Sequence, residues 1–319
     1  MTLLDKDRLF PKTEVALSVA REIYQNIAKL PIISPHGHCD PGWFSDNQRF
    51  PDPAQLFVVP DHYVFRMLVS QGFTLSELGV NAVDGNMIEK DPREIWKKFS
   101  ENYYLFRGTP TAMWLDFSFE NVFGITEPLT PENSDFYYKH IEEKLSQPEY
   151  LPRALFDRFN IKVLSTTDSA ISDLSQHTDL KNSDWDGKII PTYRPDNVVD
   201  PETCDFKNNL EKLGELANED TNSWDGYLKA HRSRRLFFKE MGATASDHGH
   251  PSARTENLSQ HEAERLYKRI LAEEFNSEEA DTFRGQMLTE MAKMSCEDGL
   301  VMQIHPGSRR NHSGKIFDQ

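Results

Sequence analysis

A short apolar run, Leu30-Pro31-Ile32-Ile33, leads directly into Ser34-Pro35-His36-Gly37-His38, and this junction constrains the chain more than any other segment. An extended backbone alternates its side chains between two faces, so His36 and His38 share a face. Two imidazoles on one face at the end of a buried strand can hold one divalent metal ion. The pattern is short, and by itself it would also suit an ordinary surface loop. The preceding strand favours the metal site, because barrel enzymes set their ligands on rigid strand ends. Cys39 follows His38 and is expected on the opposite face, as a small buried side chain.

Upstream, Thr13 to Ala28 carries apolar residues at Val15, Val19, Ile23 and Ile27, the spacing of an amphipathic helix with Thr13 as N-cap. From about residue 40 to about 155 the pattern is helical and poor in strands. Asp91-Pro92-Arg93-Glu94 reads as an N-cap, a proline at the first helical position and a capping-box acid. Thr109-Pro110 and Thr130-Pro131 repeat that start signal. Such a block is too long for a loop, so it reads as an inserted helical subdomain.

Beyond it, strands and helices alternate. Strands are expected at Ile161–Thr167, Lys188–Tyr193, Ala243–Asp247 and Leu300–His305. Helices are expected at about 206–217, 223–241, 259–274 and 277–297, the third opened by the capping box Ser259-Gln260-His261-Glu262. Alternation of this kind predicts a parallel sheet covered on its outside. With the strand before His36, five strands are predicted. The expected organisation is residues 1–39 for the first helix and strand, 40–155 for the helical insertion, and 156–319 for the remaining strands.

Each predicted strand ends in polar or ionisable residues: His36 and His38, then Thr166-Thr167-Asp168, Arg194-Pro195-Asp196, Ser246-Asp247-His248-Gly249 and His305-Pro306-Gly307. Any one of these has an ordinary explanation, such as a loop histidine or a surface arginine. Five together are how a strand-end active site is built. In the helical block, Asp61-His62-Tyr63 marks a helix start with Asp61 as N-cap and Gly72 as a stop, and Tyr63 would also suit a packed aromatic. His140, His177, His231, His250 and His261 fall on or near polar helical stretches and are expected to be solvated.

A formal net charge of −15 over 319 residues argues against nucleic acid or an anionic membrane as partner. It leaves room for an anionic small molecule, which a single arginine can bind. Cys39, Cys204 and Cys296 are odd in number and far apart, so no disulfide framework is expected and a reducing cytoplasm is the expected compartment. The charged first eight residues lack the apolar core of a signal peptide. No run approaches the length of a membrane span.

Taken together, Ile33-Ser34-Pro35-His36-Gly37-His38, Pro60-Asp61-His62-Tyr63, Gly108-Thr109-Pro110-Thr111, Thr166-Thr167-Asp168, Tyr193-Arg194-Pro195-Asp196, Ser246-Asp247-His248-Gly249 and Met302-Gln303-Ile304-His305-Pro306-Gly307 resemble, in order, the uronate (glucuronate) isomerases of the amidohydrolase superfamily. The resemblance runs from the first helix to the end of the chain. It implies an α/β fold, a distorted (β/α)8 TIM-type barrel with a helical insertion after its first strand. It implies isomerisation of D-glucuronate to D-fructuronate and of D-galacturonate to D-tagaturonate. It makes His36 and His38 ligands of a divalent metal, usually zinc, and Arg194 a substrate-binding arginine. It sets His62 and Tyr63 beside the sugar, with Tyr63 able to exchange protons with an oxygen. It also brings His305 to the site as a catalytic residue and His248 as a further substrate contact. A homo-oligomer is compatible with it.

Aldose–ketose isomerisation moves a proton between C2 and C1 through an enediol. It therefore needs a base, a proton donor and an electrophile on the oxygens, which these residue types supply. One departure stands out. The family's last strand carries a metal-binding aspartate, whereas only Asp318 follows His305 here. The sequence thus reads as the first two-thirds of an isomerase, a barrel of about five strands. The chain alone is expected to be inactive or very weakly active and prone to aggregate. Two other readings remain open from the residues: a metal-dependent hydrolase of the same superfamily, and a fragment that binds sugar acids without turnover.

Overall fold

The computed structural model describes residues 3–81, 83, 85–203, 205–308 and 313–317, so Cys204 and Asp318 lie outside the described residues. The chain divides into two compact units. One comprises residues 32–46 and 159–310, the other the remaining segments, including 1–31 and 47–158. The first helix therefore goes with the helical unit, where the sequence grouped it with the first strand.

The sheet unit is an α/β structure whose strands are all parallel. They are β1 (Ile32–Ser34), β2 (Ile161–Ser165), β3 (Asp168–Ser169), β4 (Lys188–Ile190), β5 (Tyr193–Arg194), β6 (Ala245–His248) and β7 (Val301–Ile304). They pair in the orders β1-β2-β4 and β3-β5-β6-β7. The breaks between β2 and β3 and between β4 and β5 are local. Pro191 has no N–H to give the ladder, yet Thr166 N donates to Ile190 O and Asp168 N to Thr192 O, at 2.9 and 3.0 Å. The five predicted strands are thus present in sequence order, the third in two pieces and the second followed at once by the short β3.

Paired helices connect β5 to β6 (Phe206–Ala217, Trp224–Glu240) and β6 to β7 (Gln260–Leu271, Ser277–Asp298). Their ends are set locally. Ser259 with Glu262 and Asn276 with Glu279 form reciprocal capping boxes, and Gly299 takes the left-handed conformation, φ 81°, that ends the long helix before β7. Between the helices, Tyr227, Tyr267 and Phe283 stack, with centroids 4.8 Å apart for the first pair and 5.9 Å for the second. All three rings are buried, and each contributes about 1.5–3 kcal/mol by leaving water. Their phenols remain satisfied, Tyr227 Oη donating to Val198 O and Tyr267 Oη to Thr221 O, both at 2.6 Å. The edge strands differ from the inner ones, for Ile33 of β1 and Val301 of β7 are 62% and 65% exposed.

The helical unit packs around Trp96, Phe99, Phe106, Phe119 and Tyr137. Asp91 and Thr109 cap their helices as expected, accepting from Arg93 N and Ala112 N. The helix expected at Thr130-Pro131 begins instead at Ser134, because Asn133 Oδ1 accepts from Thr130 N and holds the segment in a turn first. The first helix, Glu14–Ile27, buries none of its residues, and Val15 at 78% exposure shows that its apolar stripe faces out.

Three histidines expected to be solvated are buried: His177, His231 and His250. Their neighbours in sequence are polar, but tertiary contacts take them in. Tyr193 Oη lies 2.7 Å from His231 Nδ1, and His177 Nε2 lies 2.9 Å from Thr166 Oγ1. Burial lowers the His231 pKa to about 3, so that ring is neutral at ordinary pH.

Candidate metal centre

The site is built at the carboxyl ends of the parallel strands, and all of its parts described here belong to the sheet unit. Past β1, His36 and His38 turn towards each other, ring centroids 5.0 Å apart and Nε2 to Nε2 3.1 Å. The residue between them has to be glycine. A Cβ on Gly37 would lie 2.9 Å from the carbonyl oxygen of Ser165, closer than real side chains approach. Beyond β2, Thr167 Oγ1 sits 3.0 Å from Gly37 O and 2.8 Å from His38 Nδ1.

On β6, Asp247 is completely buried and lies at the middle of the group. His305 Nε2 is 2.6 Å from its Oδ1, His36 Nδ1 is 3.5 Å from the same oxygen, and Arg194 Nη1 is 3.4 Å from Oδ2. A buried carboxyl group needs such donating neighbours to offset its lost hydration. Its Oδ2 makes no hydrogen bond and has the Arg194 guanidinium as its charged neighbour. Arg194 is held from behind. Its Nε donates to Asp196 Oδ2 at 2.9 Å, while Asp196 Oδ1 accepts from Gly249 N at 3.0 Å. From β7, Gln303 Oε1 meets His36 Nδ1 at 2.8 Å and its Nε2 donates to Pro35 O, also at 2.8 Å.

Burial, followed by the nearby His36 and Arg194, lowers the His38 pKa and keeps its ring neutral, the state a metal ligand requires. His36, Asp247 and His305 present ligand atoms within 4.8 Å of one another. Two facing imidazole nitrogens beside a buried carboxylate are a donor set that fits a divalent ion.

Of the residues singled out from sequence, the structure brings together His36, His38, Arg194 and His305. It does not bring His248. Side chains alternate along β6, so His248 points to the opposite face from Asp247, where Ser246 Oγ lies 2.9 Å from its Nε2 and burial lowers its pKa to about 3. The same alternation puts Asp168 outward, 2.7 Å from Thr166 Oγ1. His62 and Tyr63 belong to the helical unit, at the start of the helix His62–Val69, their rings 4.2 Å apart and Asp61 Oδ1 accepting from Tyr63 N. Sequence reasoning passed over Asp247, Gln303, Thr167 and Asp196 as site residues. All four stand in the quoted motifs, and strand alternation was the signal that could have found Asp247.

The fold and this site define a class: a parallel α/β enzyme with a histidine–carboxylate cluster at its strand ends that could hold a metal ion. The glucuronate isomerase family matches residues 7–319, and the chain belongs to that family. It is 55% identical to the uronate isomerase of Rhizobium meliloti (strain 1021) over 99% of its length and 67% of that protein's. Against the uronate isomerase of Mesorhizobium japonicum the identity is 53%, over 100% of this chain and 68% of that one. Among solved structures, the glucuronate isomerase from Caulobacter crescentus superposes with a TM-score of 0.96 at 48% identity, covering 100% of this chain and 66% of that chain. The uronate isomerase from Thermotoga maritima gives a TM-score of 0.89 at 26% identity, covering 99% and 67%. The chain thus spans about two thirds of the length of these relatives. Family membership favours the isomerase over the hydrolase and the binding-only readings.

Proposed function

We propose that this chain is an aldose–ketose isomerase acting on uronates, interconverting D-glucuronate with D-fructuronate and D-galacturonate with D-tagaturonate. The observation that carries the reading is the convergence of His36, His38, Asp247, Arg194 and His305 at the strand ends, in a chain of the glucuronate isomerase family. Its strands, all parallel and paired in chain order among the described residues, suit a distorted (β/α)8-type barrel.

His36 and His38 would hold the metal, zinc in this reading, and when bound it would polarise the oxygens of the open-chain sugar. Arg194 offers a charge-assisted hydrogen bond to the uronate carboxylate, its guanidinium oriented by Asp196. The His305–Asp247 pair is suited to hold a proton and return it as hydroxyl protons shift during enediol formation. His62 and Tyr63 take their roles beside the sugar from the family resemblance, Tyr63 as an oxygen-proton exchanger. His248, on the face of β6 opposite Asp247, takes no part at the site in this reading. Among the described residues no helix is long and apolar enough to cross a membrane. We place the chain in the cytoplasm, where Cys39 and Cys296 would remain thiols.

The test is to incubate the purified chain, loaded with zinc, with glucuronate and follow the ketose. Slow, metal-dependent ketose formation that His36→Ala abolishes is the expected result. Cleavage of an ester probe without ketose would return the hydrolase reading. Uronate binding with no ketose would return the binding-only reading.

A further inference from the structure

We infer that Gln303 and Thr167 are positioning residues that lock His36 and His38 in the same tautomer, with Nδ1 protonated, so that two Nε2 lone pairs face one metal ion. This rests on the metal-centre reading above and concerns how the chain prepares that centre. Each step follows from donor and acceptor inventories. Pro35 O can only accept, so the end of the Gln303 amide 2.8 Å away is its NH2 group. The other end, 2.8 Å from His36 Nδ1, is then the carbonyl oxygen, which cannot donate, and His36 Nδ1 must carry the proton. The same logic holds on the other ring. Gly37 O, 3.0 Å from Thr167 Oγ1, can only accept, so it takes the hydroxyl proton. The Thr167 lone pair is left for His38 Nδ1 at 2.8 Å, which therefore also carries a proton.

In neutral rings both Nε2 atoms are consequently unprotonated, and they lie 3.1 Å apart. Two lone pairs that close, with no hydrogen between them, repel unless a cation lies between them. The assignment also decides between two ways in which His36 could ligate. His36 Nδ1 is 3.5 Å from Asp247 Oδ1, but its proton is committed to Gln303, so the ring ligates through Nε2 beside His38. The devices come from different strands. Gln303 rides on β7, and Thr167 sits in the break between β2 and β3. Outer partners of this kind fix ring orientation and raise ligand basicity, and losing one typically costs about 10–100-fold in metal affinity.

The experiment uses the full chain and zinc itself. Zinc affinity is measured by competition with a chromophoric chelator, and tautomers by 15N NMR of the histidine rings in zinc-free protein. Gln303→Leu and Thr167→Val should each weaken zinc binding about 10-fold or more and bring the other tautomer into the His36 or His38 signals. Thr167→Ser keeps both the hydroxyl proton and its lone pair and should restore affinity to near wild type, which separates positioning from misfolding; Gln303→Glu keeps the acceptor towards His36 but loses the donor to Pro35 O, so it should keep the Nδ1-protonated His36 signal with weakened affinity. If the wild-type chain binds zinc no better than His36→Ala, the metal-centre reading itself fails. If zinc binds through His36 and His38 but both disruptive variants keep wild-type affinity and tautomers, the positioning inference alone is overturned.

Discussion

Replacing Arg235 by alanine should destabilise the sheet unit by about 3 kcal/mol, near the lower end of the range for breaking a buried ion pair. Its guanidinium is fully buried and grips Asp298 with two bonds, Nε to Oδ2 at 2.6 Å and Nη2 to Oδ1 at 3.0 Å, with Ser295 Oγ a further 2.9 Å partner. Truncation leaves the carboxylate without its bidentate partner and opens a cavity against Tyr193, whose ring centroid lies 5.6 Å from the guanidinium carbon. Asp298 retains 21% exposure, so water recovers part of the loss, which is why the low end applies. The pair also governs the start of β7, because Asp298 Oδ1 accepts from Leu300 N at 2.9 Å. Urea unfolding followed by fluorescence in a background retaining only Trp224 reports this unit. The double variant Arg235→Met, Asp298→Leu should recover part of the loss, since a buried pair exchanged for apolar groups is close to neutral while Leu300 N loses its acceptor. A loss under about 1 kcal/mol for Arg235→Ala, or strict additivity in the cycle, would refute the reasoning. Acid should act through the same pair. Burial works to raise the Asp298 carboxyl, but the Arg235 hydrogen bond and Leu300 N–H outweigh it and hold the pKa below the usual value. That stability is present above the ordinary aspartate range and is lost as pH falls through the lowered value.

Gly37→Ala should abolish tight zinc binding while leaving the helical circular dichroism unchanged, because the Cβ would displace the histidine loop from Ser165 O. Retained zinc affinity would count against the close approach. His231 and His248, both neutral with pKa about 3, bind fewer protons folded than unfolded. Stability should therefore be full above about pH 6.5 and fall below it, by up to about 1.4 kcal/mol per pH unit per histidine. Denaturant midpoints from pH 7 to 5 check this, and a flat profile would count against neutral burial. Asp196→Ala should raise the KM for glucuronate with little change in kcat, because Arg194 loses its Nε partner. An unchanged KM would sink that role. Ser259→Ala should cost about 1 kcal/mol by opening the capping box, readable as a shift in melting temperature.

Helix boundaries were the most legible part of the fold, because caps are local chemistry. Ser259, Asp91 and Thr109 act where they stand, and the helices 206–217 and 224–240 begin and end within a residue or so of their spacing pattern. The exception, Thr130-Pro131, failed through an equally local competitor, the Asn133 side chain. The site was legible as a set of strand ends. Which of Asp247 and His248 faces the site was not legible, since that depends on which side of β6 the helices cover.

By itself, the sequence determined the alternation of strands and helices, the H-x-H pair and the ordered motifs that mark the family, all carried by neighbours a few residues apart. Tertiary structure alone decided which nitrogen of each ring is free. Those nitrogens are set by Gln303 and Thr167, 267 residues from His36 and 129 from His38 in the chain. It likewise decided that His177, His231 and His250 are buried rather than solvated. The reason is physical: a side chain's protonation and burial depend on the groups packed against it, and here those groups come from other strands and helices.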